Sequence, residues 1–163
     1  MITKVIEKPN IIIVDDHLIF RQGLISLLTS EEIATVIAEA SDGAAFLELL
    51  SHHKPDLVLM DIDMPHMNGM EATQKALEKL PKLKIVVFSM FGDEEYFRKM
   101  VQLGVKGYIL KSNGISEVEQ AIQDVMNGKT YFSNILPKNT ENKLNQNQIK
   151  EVTEKPKGLI PWF

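Results

Sequence analysis

The feature that most constrains this chain is a compact apolar run, Leu57-Val58-Leu59-Met60, that stops abruptly at a carboxylate, Asp61. A strand with one wet face alternates apolar and polar residues, whereas a run without alternation belongs to a strand buried on both faces, as in the interior of a parallel sheet. The run thus predicts a strand over residues 56–60 with Asp61 at its carboxyl end. In open α/β sheets that edge, near the point where strand order reverses, is where ligands bind. The next residues, Ile62-Asp63-Met64-Pro65-His66-Met67-Asn68-Gly69-Met70, are rich in loop formers and lead into a helical pattern.

The same signature recurs along the chain. Ile11-Ile12-Ile13-Val14 is β-branched and ends at Asp15-Asp16. Residues 33–40 form a second β-rich stretch closed by the turn signal Ser41-Asp42-Gly43, residues 84–88 a fourth strand closed by Ser89, and Gly107-Tyr108-Ile109-Leu110 a fifth that delivers Lys111. Between them lie helical patterns over residues 17–29, 44–52, 69–80, 93–103 and 116–126. In the first of these, Leu18, Phe20, Leu24, Ile25, Leu27 and Leu28 form the apolar set, Arg21 is assigned to the opposite side, and Asp16 is placed as the cap. Ser116 and Glu119 stand in capping-box register for the last helix, and Gly104 and Gly128 mark helix exits. Five strands alternating with five helices require a parallel sheet with helices on both faces and right-handed crossovers.

Length and composition narrow the reading. With 163 residues and 44% hydrophobic content the chain holds one domain plus a surplus. A net charge of −4 provides no global basic field for nucleic acid. The absence of cysteine excludes disulfides, thiolate metal sites and a cysteine nucleophile. No apolar run has the length of a signal peptide core or of a membrane span, so the expectation is a cytoplasmic protein with no membrane partner. From Pro137 the composition turns to Asn, Gln, Lys and Glu, a linker or tail, and apolar residues return only at Leu159, Ile160, Trp162 and Phe163.

In a parallel sheet, Asp15, Asp16, Asp61, Ser89 and Lys111 all arrive at one edge. Taken singly each has a plain role as a cap, a loop hydroxyl or a solvated lysine; their conjunction at four strand ends does not. Three carboxylates held together repel unless a cation joins them. An all-oxygen set favours a hard ion, Mg²⁺ above Ca²⁺ or Zn²⁺. Lys111 supplies a fixed charge and three donors suited to a phosphoryl group, and Ser89 offers it a hydroxyl. An ionised carboxylate in such a pocket is itself a nucleophile for aspartyl-phosphate formation and needs no general base.

Over residues 10–128 the chain resembles a response-regulator receiver domain of two-component signalling, carried by Asp15-Asp16, Asp61, Ser89 and Lys111 with the Met64-Pro65 and Asn68-Gly69 loop. Asp15-Asp16-His17, Gly107-Tyr108 and Lys111-Ser112 are most similar to the LuxR-type (NarL/FixJ) branch. The resemblance implies a flavodoxin-like fold, a five-stranded parallel sheet of order 2-1-3-4-5, with a receiver domain over residues 8–130. It implies that Asp61 accepts phosphate from a sensor histidine kinase. It further implies that Asp16, Asp61 and the backbone carbonyl of Asp63 ligate Mg²⁺, with Asp15 acting through water. Ser89 and Lys111 would bind the phosphoryl group, and Ser89 with Tyr108 would form the switch that reshapes the face of the fourth helix, fifth strand and fifth helix, through which a homodimer forms. Such a chain is no enzyme beyond its own phosphorylation and dephosphorylation.

Residues 131–163 are assigned to a linker or C-terminal tail with no complete output domain, so DNA contact would need a domain this chain does not complete. A stand-alone receiver acting through protein contacts is the alternative. Asp61-Ile62-Asp63 also resembles the Asp-x-Asp of haloacid-dehalogenase-type phosphatases, but that motif normally follows a first strand in a larger chain. His17 and His66 flank the acidic pocket and are assigned to solvated loops, His52-His53 to a helix end where imidazolium suits the dipole. Met90 and Phe91, beside Ser89, are assigned to a partner-facing loop.

Overall fold

The computed structural model describes residues 7–90 and 92–133; residues 1–6, Phe91 and residues 134–163, with the tail from Pro137 and Trp162, lie outside the described residues. Six strands are present: β1 (Asn10–Val14), β2 (Thr35–Ala40), β3 (Leu57–Met60), β4 (Ile85–Ser89), β5 (Gly107–Leu110) and β6 (Tyr131–Phe132). They form one sheet of order β2-β1-β3-β4-β5-β6, every neighbouring pair parallel. The helices are α1 (Leu18–Ser30), α2 (Gly43–Leu49), α3 (Gly69–Lys79), α4 (Glu94–Leu103) and α5 (Ile115–Met126), with a single 3₁₀ turn over Lys111–Asn113.

The expected order 2-1-3-4-5 is present and carries one further strand. Residues 131–132 were assigned to the linker, yet Tyr131 N–H donates to the Lys106 carbonyl at 2.9 Å and Ser133 N–H to the Tyr108 carbonyl at 2.8 Å. Two residues are too few to show strand periodicity in sequence. They pair here because the outer edge of β5 presents backbone groups that would otherwise lack partners.

The unalternated runs divide between two cores, because successive side chains of a strand point to opposite faces. Ile12, Val14, Val58, Met60, Ile85, Val87 and Tyr108 pack with Phe46 of α2, Ala72 and Ala76 of α3 and Met100 of α4. Ile11, Ile13, Leu57, Leu59, Val86, Phe88 and Ile109 pack with Leu24 and Leu28 of α1 and with Val118 and Ile122 of α5. Every residue of β3 is buried. Each such side chain contributes roughly 1.5–3 kcal/mol by leaving water, so the strand ends are anchored from both sides. Among the described residues no helix is long and apolar enough to cross a membrane.

Helix starts follow local chemistry. Asp42 Oδ1 accepts from Ala45 N–H at 2.8 Å, Asn68 Oδ1 from Glu71 N–H at 2.9 Å, and Asp93 Oδ1 from Glu95 N–H at 2.8 Å, each satisfying a free donor of a first turn. Gly104 ends α4 with φ of 103°, a left-handed position that glycine adopts without strain. Two capping expectations are corrected. The N-cap of α1 is His17, without a side-chain cap bond, because Asp16 is held one residue further out. The N-cap of α5 is Gly114, which leaves Ser116 inside the helix and its capping box unformed. Arg21, expected outside, is buried: its Nε donates to Glu39 Oε1 at 3.0 Å and its Nη1 to the Asp15 carbonyl.

The loop after β3 depends on Gly69, whose N–H donates to the Ile62 carbonyl at 2.8 Å. A Cβ at this position would lie 1.9 Å from the Asp61 carbonyl oxygen, an overlap with backbone that no rotamer relieves. Gly69→Ala is expected to cost about 3 kcal/mol or more, at or beyond the upper end of overpacking penalties. Gly23→Ala, inside α1 with nothing within 4 Å of the added carbon, should instead gain about 0.5–1 kcal/mol. Urea unfolding of both variants against the wild type measures the contrast.

Candidate functional site

Three strands deliver the site. β1 ends one residue before Asp15, β3 one residue before Asp61, and β5 one residue before Lys111. Because β1 and β3 pair in register up to Val14 and Met60, the two acids lie side by side, and Asp61 N–H donates to the Val14 carbonyl at 2.9 Å. Lys111 Nζ lies between them, 2.5 Å from Asp15 Oδ2 and 3.5 Å from Asp61 Oδ2. Its side chain is only 3% exposed, with the ammonium 4.4 Å from the centre of the Phe20 ring. Burial of an ammonium is tolerable only with such partners: two carboxylates and an aromatic face.

The acids differ in how they are held. Asp15 Oδ1 accepts from His17 N–H at 2.8 Å, and the Asp15 carbonyl accepts from Arg21. Asp61 Oδ1 accepts the adjacent Ile62 N–H at 2.9 Å. Asp16 Oδ1 is buried and, among the described residues, accepts no hydrogen bond, though His17 Nδ1 lies 3.1 Å away. One atom from each of Asp15, Asp16, His17 and Asp61 falls within 4.8 Å of the others. A buried carboxylate oxygen without a donor, beside two more carboxylates, suits a divalent cation, and the donor set here fits one.

Electrostatics single out Asp61. Its pKa is raised from 3.8 to about 6, chiefly by burial; Lys111 opposes the rise, Asp15 adds to it, and the Ile62 N–H opposes it. Keeping this carboxylate charged at neutral pH therefore costs on the order of 3 kcal/mol. Tyr108 is likewise pushed up to about 12, first by burial, with a hydrogen bond to Ser89 opposing.

The sequence-derived candidates thus fall into two groups. Asp15, Asp16, Asp61 and Lys111 form one cluster. Ser89, the last residue of β4, and Tyr108, inside β5, are both buried and form a second group joined by a hydrogen bond. Asp63 is exposed in the loop two residues beyond Asp61, and His66 adopts φ of 65° there. Met90 is exposed, and Phe91 lies outside the described residues. Sequence reasoning missed Phe20 and Arg21. Their only signal is spacing, since both fall on the first turn and a half of α1, immediately beyond the acidic pair.

The doubly wound sheet and the carboxylate–lysine cluster together define an acidic, lysine-bridged pocket at the edge where open α/β sheets bind ligands. Residues 11–123 match the response regulator receiver domain family, and the chain belongs to that family. The chain is 38% identical over 135 residues to the transcriptional regulatory protein DegU of Brevibacillus brevis, covering 83% of this chain and 56% of that protein. It is 37% identical over 145 residues to the oxygen regulatory protein NreC of Staphylococcus epidermidis, covering 88% and 66%. The chain therefore spans between half and two thirds of the length of these curated relatives. The receiver domain of the putative response regulator NarL from Mycobacterium tuberculosis superposes with a TM-score of 0.71 at 31% identity, over 76% of this chain and 99% of that one. These relatives place the chain on the LuxR/NarL side of the family.

The raised pKa of Asp61 has a consequence for stability. The folded state holds its proton up to about pH 6, the unfolded state only to about 3.8. Between those values the native state binds more protons, so this group lowers stability as pH rises through the window, and the loss is complete above it. Asp61→Asn should accordingly stabilise the metal-free protein by about 1–3 kcal/mol at pH 7, with the advantage vanishing near pH 4. Denaturant unfolding across pH 4–7 in a chelator checks both magnitude and sign.

Proposed function

We propose that this chain is the phosphorylatable receiver unit of a two-component response regulator, in which Asp61 takes a phosphoryl group from a phosphohistidine of a sensor histidine kinase. The observation that carries the reading is the buried cluster in which Lys111 bridges Asp15 and Asp61 while Asp16 Oδ1 lacks a hydrogen-bond donor. Asp16, Asp61 and the carbonyl of Asp63 would hold Mg²⁺, with Asp15 reaching it through water. When bound, the ion offsets charge on the acceptor and on the transferring group.

The protein's own residues supply the rest. Asp61, fixed by the end of β3 and by the Ile62 N–H, presents an ionised oxygen in line with the incoming phosphorus. The P–N bond to imidazole breaks as the O–P bond forms, and the imidazole leaves neutral after taking a proton from solvent. Lys111, already 3.5 Å from Asp61 Oδ2, contacts a phosphoryl oxygen on a product that carries nearly two negative charges where the free carboxylate carried one. Ser89 turns its hydroxyl from Tyr108 to that group, and the face made by α4, β5 and α5 repacks. The chain turns over no separate substrate and catalyses only its own phosphorylation and dephosphorylation.

Readout runs through that repacked face, by homodimerisation or by docking of a partner protein. Because the relatives are transcriptional and oxygen regulatory proteins longer than this chain, we place its role in cytoplasmic control of transcription, with DNA contact made by an output domain outside the receiver unit.

Incubation with acetyl phosphate and Mg²⁺ should add one phosphate to the wild type, seen by intact mass. Asp61→Asn and a chelated control should remain unmodified, and Lys111→Met should lose at least about tenfold in rate, the scale of a lost charge-assisted contact. Equal labelling of Asp61→Asn would refute the assignment.

A further inference from the structure

His17 is the N-cap residue of α1 but makes no side-chain cap bond. Its ring turns back over the acidic pair instead, with Nδ1 3.1 Å from Asp16 Oδ1 and 3.3 Å from Asp15 Oδ1. The approach to Asp16 lacks hydrogen-bond geometry but lies within ion-pair distance, so a protonated ring would pair there and a neutral ring leaves its Nδ1 beside that oxygen. Two donor atoms about 3.0 Å apart are what neighbouring ligands of an octahedral cation require when each bond is about 2.1 Å and the angle is a right angle. The Nδ1–Oδ1 separation matches that spacing.

We propose that His17 is a fourth protein ligand, through Nδ1, that lets this pocket take a borderline first-row ion such as Ni²⁺ or Zn²⁺ in competition with Mg²⁺. The proposal rests on the pocket being a divalent-cation site. Mg²⁺ is served by oxygen alone, whereas imidazole nitrogen raises affinity for ions later in the row. His17 is 65% exposed, so its ring swings out at little cost when oxygen ligands and water suffice. The same carboxylates serve either ion, so occupancy by the later metal excludes Mg²⁺ from beside Asp61. A ring nitrogen that only hydrogen-bonds Asp15 would confer no such discrimination.

The test is calorimetric titration of the tag-free protein with NiCl₂ alone and with MgCl₂ alone, for wild type, His17→Ala, Asp16→Asn, His66→Ala and the double variant of His52 and His53 to Ala. His17→Ala is expected to weaken Ni²⁺ at least tenfold while Mg²⁺ changes less than twofold, and the other histidine variants should match the wild type. In the ¹⁵N spectrum, ZnCl₂ should shift the ring nitrogens of His17 among the four histidines. The proposal is overturned if His17→Ala leaves Ni²⁺ affinity unchanged, if it weakens Mg²⁺ equally, or if Ni²⁺ follows His52-His53 or His66. Failure of the underlying site would look different, with Asp16→Asn altering neither ion.

Discussion

The structure turns on one buried ammonium. Lys111 is almost wholly excluded from water and is held by Asp15, Asp61 and the face of Phe20. Those partners come from the ends of β1 and β3 and from α1, so none of them is a sequence neighbour of Lys111. An unpaired charge at that depth would be untenable, which makes correct strand order a condition for placing the lysine at all. The arrangement is also incomplete by design of its charges. Three carboxylates face one lysine, and the excess is felt most at Asp61, where burial outweighs the attraction of Lys111. A site that disfavours its own charged form gains by binding a cation.

What the sequence made legible follows from how local each cause is. The runs ending at Val14, Met60 and Phe88 announce burial on both faces without reference to any other segment, and the strands formed there. Convergence of Asp15, Asp61 and Lys111 followed because parallel strands share one carboxyl edge. Cap positions were harder. Asp16 and Ser116 are sound capping residues, but at α1 the first-turn donor His17 N–H is satisfied by Asp15, and at α5 the chain enters through Gly114 after a 3₁₀ turn. β6 and the inward course of Arg21 were not legible. Both are tertiary in origin, since one answers the open edge of β5 and the other answers Glu39 on β2 and a carbonyl on the loop after β1.

Arg21 shows why residue type alone misleads at such sites. A guanidinium on a helix reads as solvated, yet here its planar fork spans two acceptors that belong to different elements and ties α1 to β2 while fixing the Asp15 main chain. The acidic pair is therefore positioned by a cation that touches neither of its carboxylates. The same division of labour holds at Gly69, where the absence of a side chain lets the α3 start close against the Asp61 carbonyl. Chemistry at the sheet edge is carried by acids and a lysine, but their placement is carried by an arginine and a glycine.

Tyr108 connects the site to the far edge of the sheet. Its ring meets Phe97 of α4 edge-on at 5.6 Å, and Phe97 meets Phe132 of β6 edge-on at 5.5 Å. The Tyr108 hydroxyl shares a hydrogen bond with Ser89. In the proposed reaction Ser89 is drawn to a phosphoryl group on Asp61, and a fully buried tyrosine hydroxyl that loses its partner costs about 1–3 kcal/mol. That cost cannot be absorbed locally, because the ring is packed on both sides and edge-to-face geometry resists small rotations. Relief would then come from a coordinated shift of Tyr108 with Phe97, and through it of Phe132 on β6. On the proposed reading, a hydroxyl moving at the acidic pocket would thereby be converted into a change at α4 and β6.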